Sequence, residues 1–300
     1  MLDNSLFQKL LTITVCVYLS FFSLVHAEPS AKESIVYAAV ADNPAYSAVT
    51  KLAFRKADKK ITYGDDPSQF GLLWLADNVK PNNTLVVFIH GGCWISAFDI
   101  THTYAASTAI AQAGYPVWSI EYRRAGDTGG GWPTTFEDIK LGIAKITELA
   151  ELGVKFDNVV LAGHSAGGHL ALLSGATIKN ILPETSLTFS IAGLAAITDI
   201  NAYTSAEGSC NSGGLKFMGG TAKDKPDDYI KANPANYLIK KPTILFQGKK
   251  DPIVPMSQAE ALTSGANIQR LYVDGAGHFD WVHPGTTAFR KFLDYLTAQH

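Results

Sequence analysis

Three side chains spread along the 300-residue chain have the types that nucleophilic acyl transfer needs: Ser165 in "GHSAGG", Asp251 in "GKKDPIVP" and His278 in "GAGHFD". A serine hydroxyl is a weak nucleophile at neutral pH. It needs a base to take its proton, a group to orient that base, and donors for the oxyanion that develops. His278 suits the base, taking the proton from Ser165 and returning it to the leaving group. Asp251 suits the orienting acid, which holds the imidazole tautomer and stabilises its cation. Asp280, two residues past His278, is the second candidate for that acid. Donors are offered by "FIHGGCWIS", where two glycines let the backbone approach a substrate, so that N–H groups around Gly91, Gly92 and Cys93 join that of Ala166. Taken singly, each feature has a plainer reading. GHSAGG can be a glycine turn whose serine caps a helix, HGG a simple turn, and Asp251 and His278 surface loop residues.

The joint reading makes demands on the elements between. "NVVLAG" is an apolar run ending at Gly163, and "AGGHLALLSGAT" starts a helical pattern directly after Ser165, so the serine falls on a sharp strand-to-helix turn. Asp251 follows the run "PTILFQG" and His278 follows "RLYV" in the same manner, at the ends of strands where side chains meet across one sheet edge. Further short runs are "FGLLWLA", "TLVVFIHGG", "PVWSIEYRR" and "LTFSIAGLAAI", several of them continuously apolar, as strands buried on both faces are. "KLAFRKADKKITYG" reads as an amphipathic hairpin. Helical patterns lie at about 101–113, 134–152, 166–177, 256–265 and 285–298. This alternation predicts an α/β fold: a mostly parallel, roughly eight-stranded sheet with helices on both faces. Residues 202–238 are polar, glycine-rich and poorly periodic, which predicts a lid-like insertion on a single domain spanning 28–300.

Composition narrows the classes. A formal net charge of -2 provides no field for nucleic acid. No Cys and His cluster has zinc spacing, no glycine-rich loop carries a phosphate-binding lysine, and GHSAGGH is not a dinucleotide fingerprint, so no metal and no cofactor is implied. After Lys9, residues 10–25 carry no charge and lead to "VHA", the spacing of a signal-peptidase site. Residues 1–27 therefore read as a signal peptide cleaved after Ala27, giving a periplasmic or secreted protein with no stable membrane span. A retained anchor is the alternative, though the run is short of the roughly 20 residues a spanning helix needs. In such an oxidising compartment Cys93 and Cys210 either pair or remain buried thiols, and two cysteines do not decide between these.

Together, "HGGCW", "EYRRAG", "GGGWPTTFEDI", "GHSAGG", "GKKDPIVP" and "GAGHFD" resemble the α/β-hydrolase superfamily over about 85–295. Within it the chain is similar to arylformamidases (kynurenine formamidases) and to bacterial feruloyl- and acetyl-esterase-like hydrolases, and more distantly to hormone-sensitive-lipase-like esterases. The resemblance implies Ser165 as nucleophile, Asp251 and His278 as its partners, and the Gly91 to Cys93 loop as oxyanion hole. Cys93 departs from the third glycine of the lipase-like pattern, and EYRRAG replaces DYRLAP, which bears on substrate rather than on reaction class. The function expected is an exported serine hydrolase that cleaves carboxylic esters of small molecules through an acyl-enzyme. A formamidase-type amide hydrolase is the runner-up, followed by an oligopeptidase and by a non-catalytic binding domain. Among the aromatics near the proposed loops (Trp94, Trp132, Phe279 and Trp281), Trp94 is expected to contact substrate. Arg123 and Arg124 are expected to pair with Glu137, Asp138 or Glu121 rather than to clamp a carboxylate. The oligomeric state is not legible.

Overall fold

A computed structural model describes residues 34–265 and 267–298. The leader read at 1–27 lies outside the described residues. Eight strands form one sheet: β1 (Lys59–Thr62), β2 (Phe70–Trp74), β3 (Thr84–Ile89), β4 (Val117–Ile120), β5 (Asn158–His164), β6 (Thr188–Leu194), β7 (Thr243–Gly248) and β8 (Ile268–Val273). Their order is β1-β2-β4-β3-β5-β6-β7-β8, antiparallel where β2 meets β1 and β4 and parallel from β4 through β8. The central strands read as unbroken apolar runs because both faces are covered: Leu85, Val87 and Ile89 enter one core, while Val86 and Phe88 enter the other.

The helical patterns appear in shortened form. Residues 101–113 become a 3-10 turn Ile100–Thr103 and a helix Tyr104–Gln112. The 134–152 pattern is split into Thr134–Ala144 and Ile146–Glu151, and 256–265 shrinks to Met256–Ala261. Helices Ala166–Ala176 and Thr287–Thr297 match their patterns closely. The hairpin moves: residues 51–58 form no strand, and β1 pairs instead with β2 across the turn at 63–69. The amphipathic alternation there belongs to an edge strand, where a lysine-rich face protects unpaired backbone.

The glycine-rich stretch 202–238 is more ordered than its composition suggests. It carries the end of helix Ile200–Thr204, helices Ser209–Met218 and Pro226–Ala232, and a 3-10 turn Pro234–Asn236. Cys210, Phe217, Met218, Tyr229 and Ala232 are buried in the main core, so this segment is packed down rather than hinged off the domain.

Candidate active site

The parallel strands bring the predicted groups to one edge, because each group follows the C-terminal end of its strand: Gly91 after β3, Ser165 after β5, Asp251 after β7 and His278 after β8.

Ser165 takes φ 57° and ψ -121°, a conformation that non-glycine residues adopt only when their surroundings enforce it. The enforcement is visible on both sides. Its N–H donates to Leu194 O at 2.9 Å on β6, and its carbonyl accepts from His169 N at 3.2 Å in the helix Ala166–Ala176. That helix crosses so close to β3 that a Cβ on Gly167 would lie 2.1 Å from Ile89 O and 2.4 Å from His90 O, which only glycine tolerates. The Ser165 side chain makes no cap hydrogen bond to its helix, so the helix-cap role considered from sequence is not the one it fills.

His278 is 4% exposed and donates from Nδ1 to Asp251 Oδ2 at 2.8 Å. Asp251 is itself held: Oδ1 accepts from Ile253 N and Val254 N, each at 2.8 Å, and Oδ2 also accepts from Gln247 Nε2 at 3.4 Å. The bond to the carboxylate sets the His278 tautomer and leaves Nε2 as the proton acceptor. Asp280 does something else. Its two oxygens accept from Asn43 N at 3.0 and 2.9 Å, and Oδ2 from Gly277 N at 2.8 Å, so it ties the N-terminal segment to the His278 loop rather than orienting the imidazole.

His164 lies behind His278, its ring centroid 4.6 Å away, and donates from Nε2 to the His278 carbonyl at 2.9 Å. Burial, reinforced by the nearby His278 and His102, pushes its pKa well below the usual histidine range, so it is a neutral prop. Glu121 is a buried anchor for the HGG segment. Burial alone would raise its pKa, but His90, Arg124 and the Tyr122 N–H outweigh burial and hold the carboxyl down to about 2. His90 Nε2 meets Glu121 Oε1 at 2.9 Å, while His90 Nδ1 donates to Gly91 O at 2.7 Å.

Ser165 and His278 open on a cavity of about 410 Å³ whose wall includes Gly92, Cys93, Tyr46, Phe98, His102 and Phe279. Gly92 and Cys93 thus share the cavity wall with the serine. Gly91 packs behind it, where a Cβ would lie 2.7 Å from His164 O and 3.0 Å from Ser165 Cβ. Ala166, the first residue of the helix after the serine, is fully buried.

Trp94 does not make the substrate contact expected of it, being absent from the cavity wall. It is fully buried, stacks on Phe217 with centroids 5.2 Å apart, and donates from its indole N–H to His169 Nδ1 at 3.3 Å, so it belongs to the core and not to the pocket wall. Cys93 and Trp94 have similar φ of 53° and 58°, yet Cys93 lines the cavity while the Trp94 ring is taken up by Phe217 and His169. The pocket aromatics are Tyr46, Phe98 and Phe279. Phe279 is next to His278 in sequence. Tyr46 precedes the first strand in a segment with no periodic pattern, and nothing in the sequence marks it. Trp132 stacks on Phe136, and Trp281 is fully buried. Arg123 grips Asp138 through Nε at 2.9 Å and Nη2 at 2.7 Å, and Arg124 pairs with Asp127 at 3.1 Å and Glu121 at 3.6 Å, while Glu137 pairs instead with Lys140.

Cys93 and Cys210 are joined in a disulfide. Among the described residues, no group of three or more His, Cys, Asp or Glu side chains forms a candidate metal cluster, and no helix is long and apolar enough to cross a membrane.

An eight-stranded, mostly parallel sheet with a serine elbow after β5 and a His–Asp pair after β8 and β7 defines an α/β-hydrolase. The family model described as BD-FAE matches residues 73–265, and the chain belongs to that family. Among curated relatives, "Esterase LipC" of Mycobacterium tuberculosis is 28% identical over 81% of this chain and 65% of its own. A "Probable isoprenylcysteine alpha-carbonyl methylesterase" of Arabidopsis thaliana is 25% identical over 74% of this chain and 51% of its own. The chain thus spans about half to two thirds of the length of such relatives. Among solved structures, a truncated carbohydrate esterase from gut microbiota superposes with a TM-score of 0.68 at 21% identity, covering 82% of this chain and 96% of that one. Esterase B of Lactobacillus rhamnosis gives 0.67 at 18% identity over 85% and 89%.

Proposed function

We propose that the protein hydrolyses carboxylic esters through an acyl-enzyme formed on Ser165. The observation that carries this is the strained Ser165 elbow opening on the same apolar cavity as His278, whose Nδ1 is held by Asp251 at 2.8 Å. His278 Nε2 takes the Ser165 proton as Oγ attacks the ester carbonyl, and the resulting imidazolium is stabilised by Asp251. The N–H groups of Gly92, Cys93 and Ala166 receive the oxyanion, each such donor being worth roughly 3 to 4 kcal/mol at the transition state. The imidazolium then protonates the leaving alcohol. Water, deprotonated by the same histidine, releases the acid and restores the serine. Relatives named as esterases support this reading.

The acyl group fits a pocket with three aromatic rings, Tyr46 lying 5.5 Å from Phe98 and 5.4 Å from Phe279. Small or aromatic acyl esters suit such a wall. Export through the leader at 1–27 is part of the same proposal, supported by the Cys93–Cys210 disulfide, a bond that persists in oxidising compartments. The test is turnover of p-nitrophenyl acetate, a feruloyl ester and N-formylkynurenine by wild type and Ser165→Ala. The ester reading predicts that wild type turns over the two esters faster than the formamide and that the variant loses on the order of a million-fold in kcat. Equal rates for wild type and variant remove the nucleophile, and faster formamide cleavage reverses the substrate assignment.

A further inference from the structure

The loop facing Ser165 is wound in an unusual way. Gly92, Cys93 and Trp94 have φ of 112°, 53° and 58°, three successive residues in the region that favours glycine, two of them not glycine. Such a run persists only where surrounding structure over-determines it. Gly92 O accepts from Ile95 N at 3.1 Å and Trp94 O from Ala125 N at 2.8 Å, and further supports come from the helix Ser209–Met218 in the glycine-rich segment. Cys210 bonds covalently to Cys93. Gly213 abuts the Cys93 backbone, where a Cβ would lie 2.8 Å from Cys93 O, and Phe217 stacks on Trp94 with the rings 12° from parallel. The Trp94 indole reaches His169 on the helix that follows the serine, and His169 Nε2 in turn donates to Ala232 O at 2.7 Å. The disulfide is thus continuous with the contacts that join this loop to the nucleophile's own helix. Both cysteines also line the cavity in front of Ser165.

We propose that the Cys93–Cys210 disulfide is a positioning element for the oxyanion hole: it holds the backbone N–H groups of Gly92 and Cys93 where the tetrahedral oxygen forms. The proposal rests on the Ser165 reading above. Because the oxyanion exists only after attack, the bond acts on kcat and leaves KM largely untouched. A displacement of about 1 Å in such donors costs up to about 10²-fold in rate.

The experiment compares folded wild type before and after reduction with tris(2-carboxyethyl)phosphine, and after reoxidation with oxidised glutathione, beside Cys210→Ala and Ser165→Ala. The readouts are kcat and KM on p-nitrophenyl acetate, affinity for an aryl boronic acid that forms a tetrahedral adduct, and far-UV circular dichroism. Reduction, with two new titratable thiols, is expected to lower kcat about 10- to 100-fold with KM within about twofold, to weaken the boronic acid by a similar factor, and to reverse on reoxidation. If the reduced protein keeps kcat within twofold, or loses it only in step with its circular dichroism, the positioning role is overturned. Should Cys210→Ala fail to fold, reduction of the folded wild type decides alone. Failure of the serine reading shows separately, as equal rates for oxidised wild type and Ser165→Ala.

Discussion

His278 Nδ1 donates to Asp251 Oδ2 at 2.8 Å, and both side chains are nearly inaccessible to solvent, at 4% and 1% exposure. Asp280, although only two residues from His278, accepts from Asn43 and Gly277 instead. Asp251→Asn is expected to lower kcat on the order of 10⁴-fold while preserving the fold, because an amide favours the wrong imidazole tautomer. Asp280→Asn is expected to lose stability, since the carboxylate holds three backbone contacts, while retaining most of kcat. Steady-state kinetics with parallel thermal melts separates them, and the opposite pattern would exchange their roles.

Trp94 and Tyr46 are predicted to separate packing from recognition. Trp94→Ala is expected to cost about 3 to 5 kcal/mol of stability, as removal of a fully buried indole does. Tyr46→Ala is expected to leave the urea midpoint nearly unchanged and raise KM for aromatic acyl esters about two- to tenfold, the equivalent of ~0.5–1.5 kcal/mol for an aromatic contact. Unchanged KM across acyl chains in Tyr46→Ala would remove the ring from the pocket's function.

Acid is predicted to unfold the protein through buried histidines. Burial, then the neighbouring His90, lowers His102 from 6.5 to about 3, and burial lowers His169 to about 4. Each stays neutral in the folded state, whereas the unfolded chain binds a proton below about 6.5, so below that pH the unfolded state holds more protons. Their contribution is complete above 6.5 and declines as pH falls toward the folded-state values, by at most about 1.4 kcal/mol per pH unit for each group. Urea midpoints between pH 7 and pH 4 should fall less steeply for His102→Asn than for wild type. Parallel curves would show that His102 is not held neutral.

Glu121 titrates in a lower window. With its carboxyl held to about 2 against an ordinary 4.5, its stabilising contribution is present above 4.5 and lost as pH falls toward 2. Glu121→Gln is therefore expected to be less stable than wild type at pH 7, with the gap narrowing below pH 4.5. A gap that stays constant down to pH 3 would mean that the His90 and Arg124 contacts do not depend on the charge.

The fold is legible in the sequence, and so is the gathering of Ser165, Asp251 and His278 at one sheet edge, because their signals are local. A strand buried on both faces shows as an unbroken apolar run, and a glycine beside a reactive serine marks a close backbone approach that Gly167 then realises against Ile89 O. What was not legible depends on three-dimensional accidents of the chain path. Trp94 adjoins the HGG turn, which suggests substrate contact, yet its ring packs in the core against Phe217 and His169. Tyr46 reaches the pocket from a segment without pattern. Polar composition hid the helices at 209–218 and 226–232, whose buried face amounts to only a few side chains such as Phe217 and Tyr229. The cysteines gave two readings, and only their proximity on the loop and its supporting helix selected between them.

Ester hydrolysis by this protein, as proposed, begins with attack by Ser165 Oγ. The most direct measurement is to react the protein with a fluorophosphonate ester, digest it, and locate the adduct by mass spectrometry while following the loss of p-nitrophenyl acetate hydrolysis. A single adduct on Ser165, rising in proportion to the activity lost and absent from Ser165→Ala, is the predicted result. Full hydrolytic activity with Ser165 unmodified at saturating probe, or activity abolished by an adduct on another residue, would contradict it.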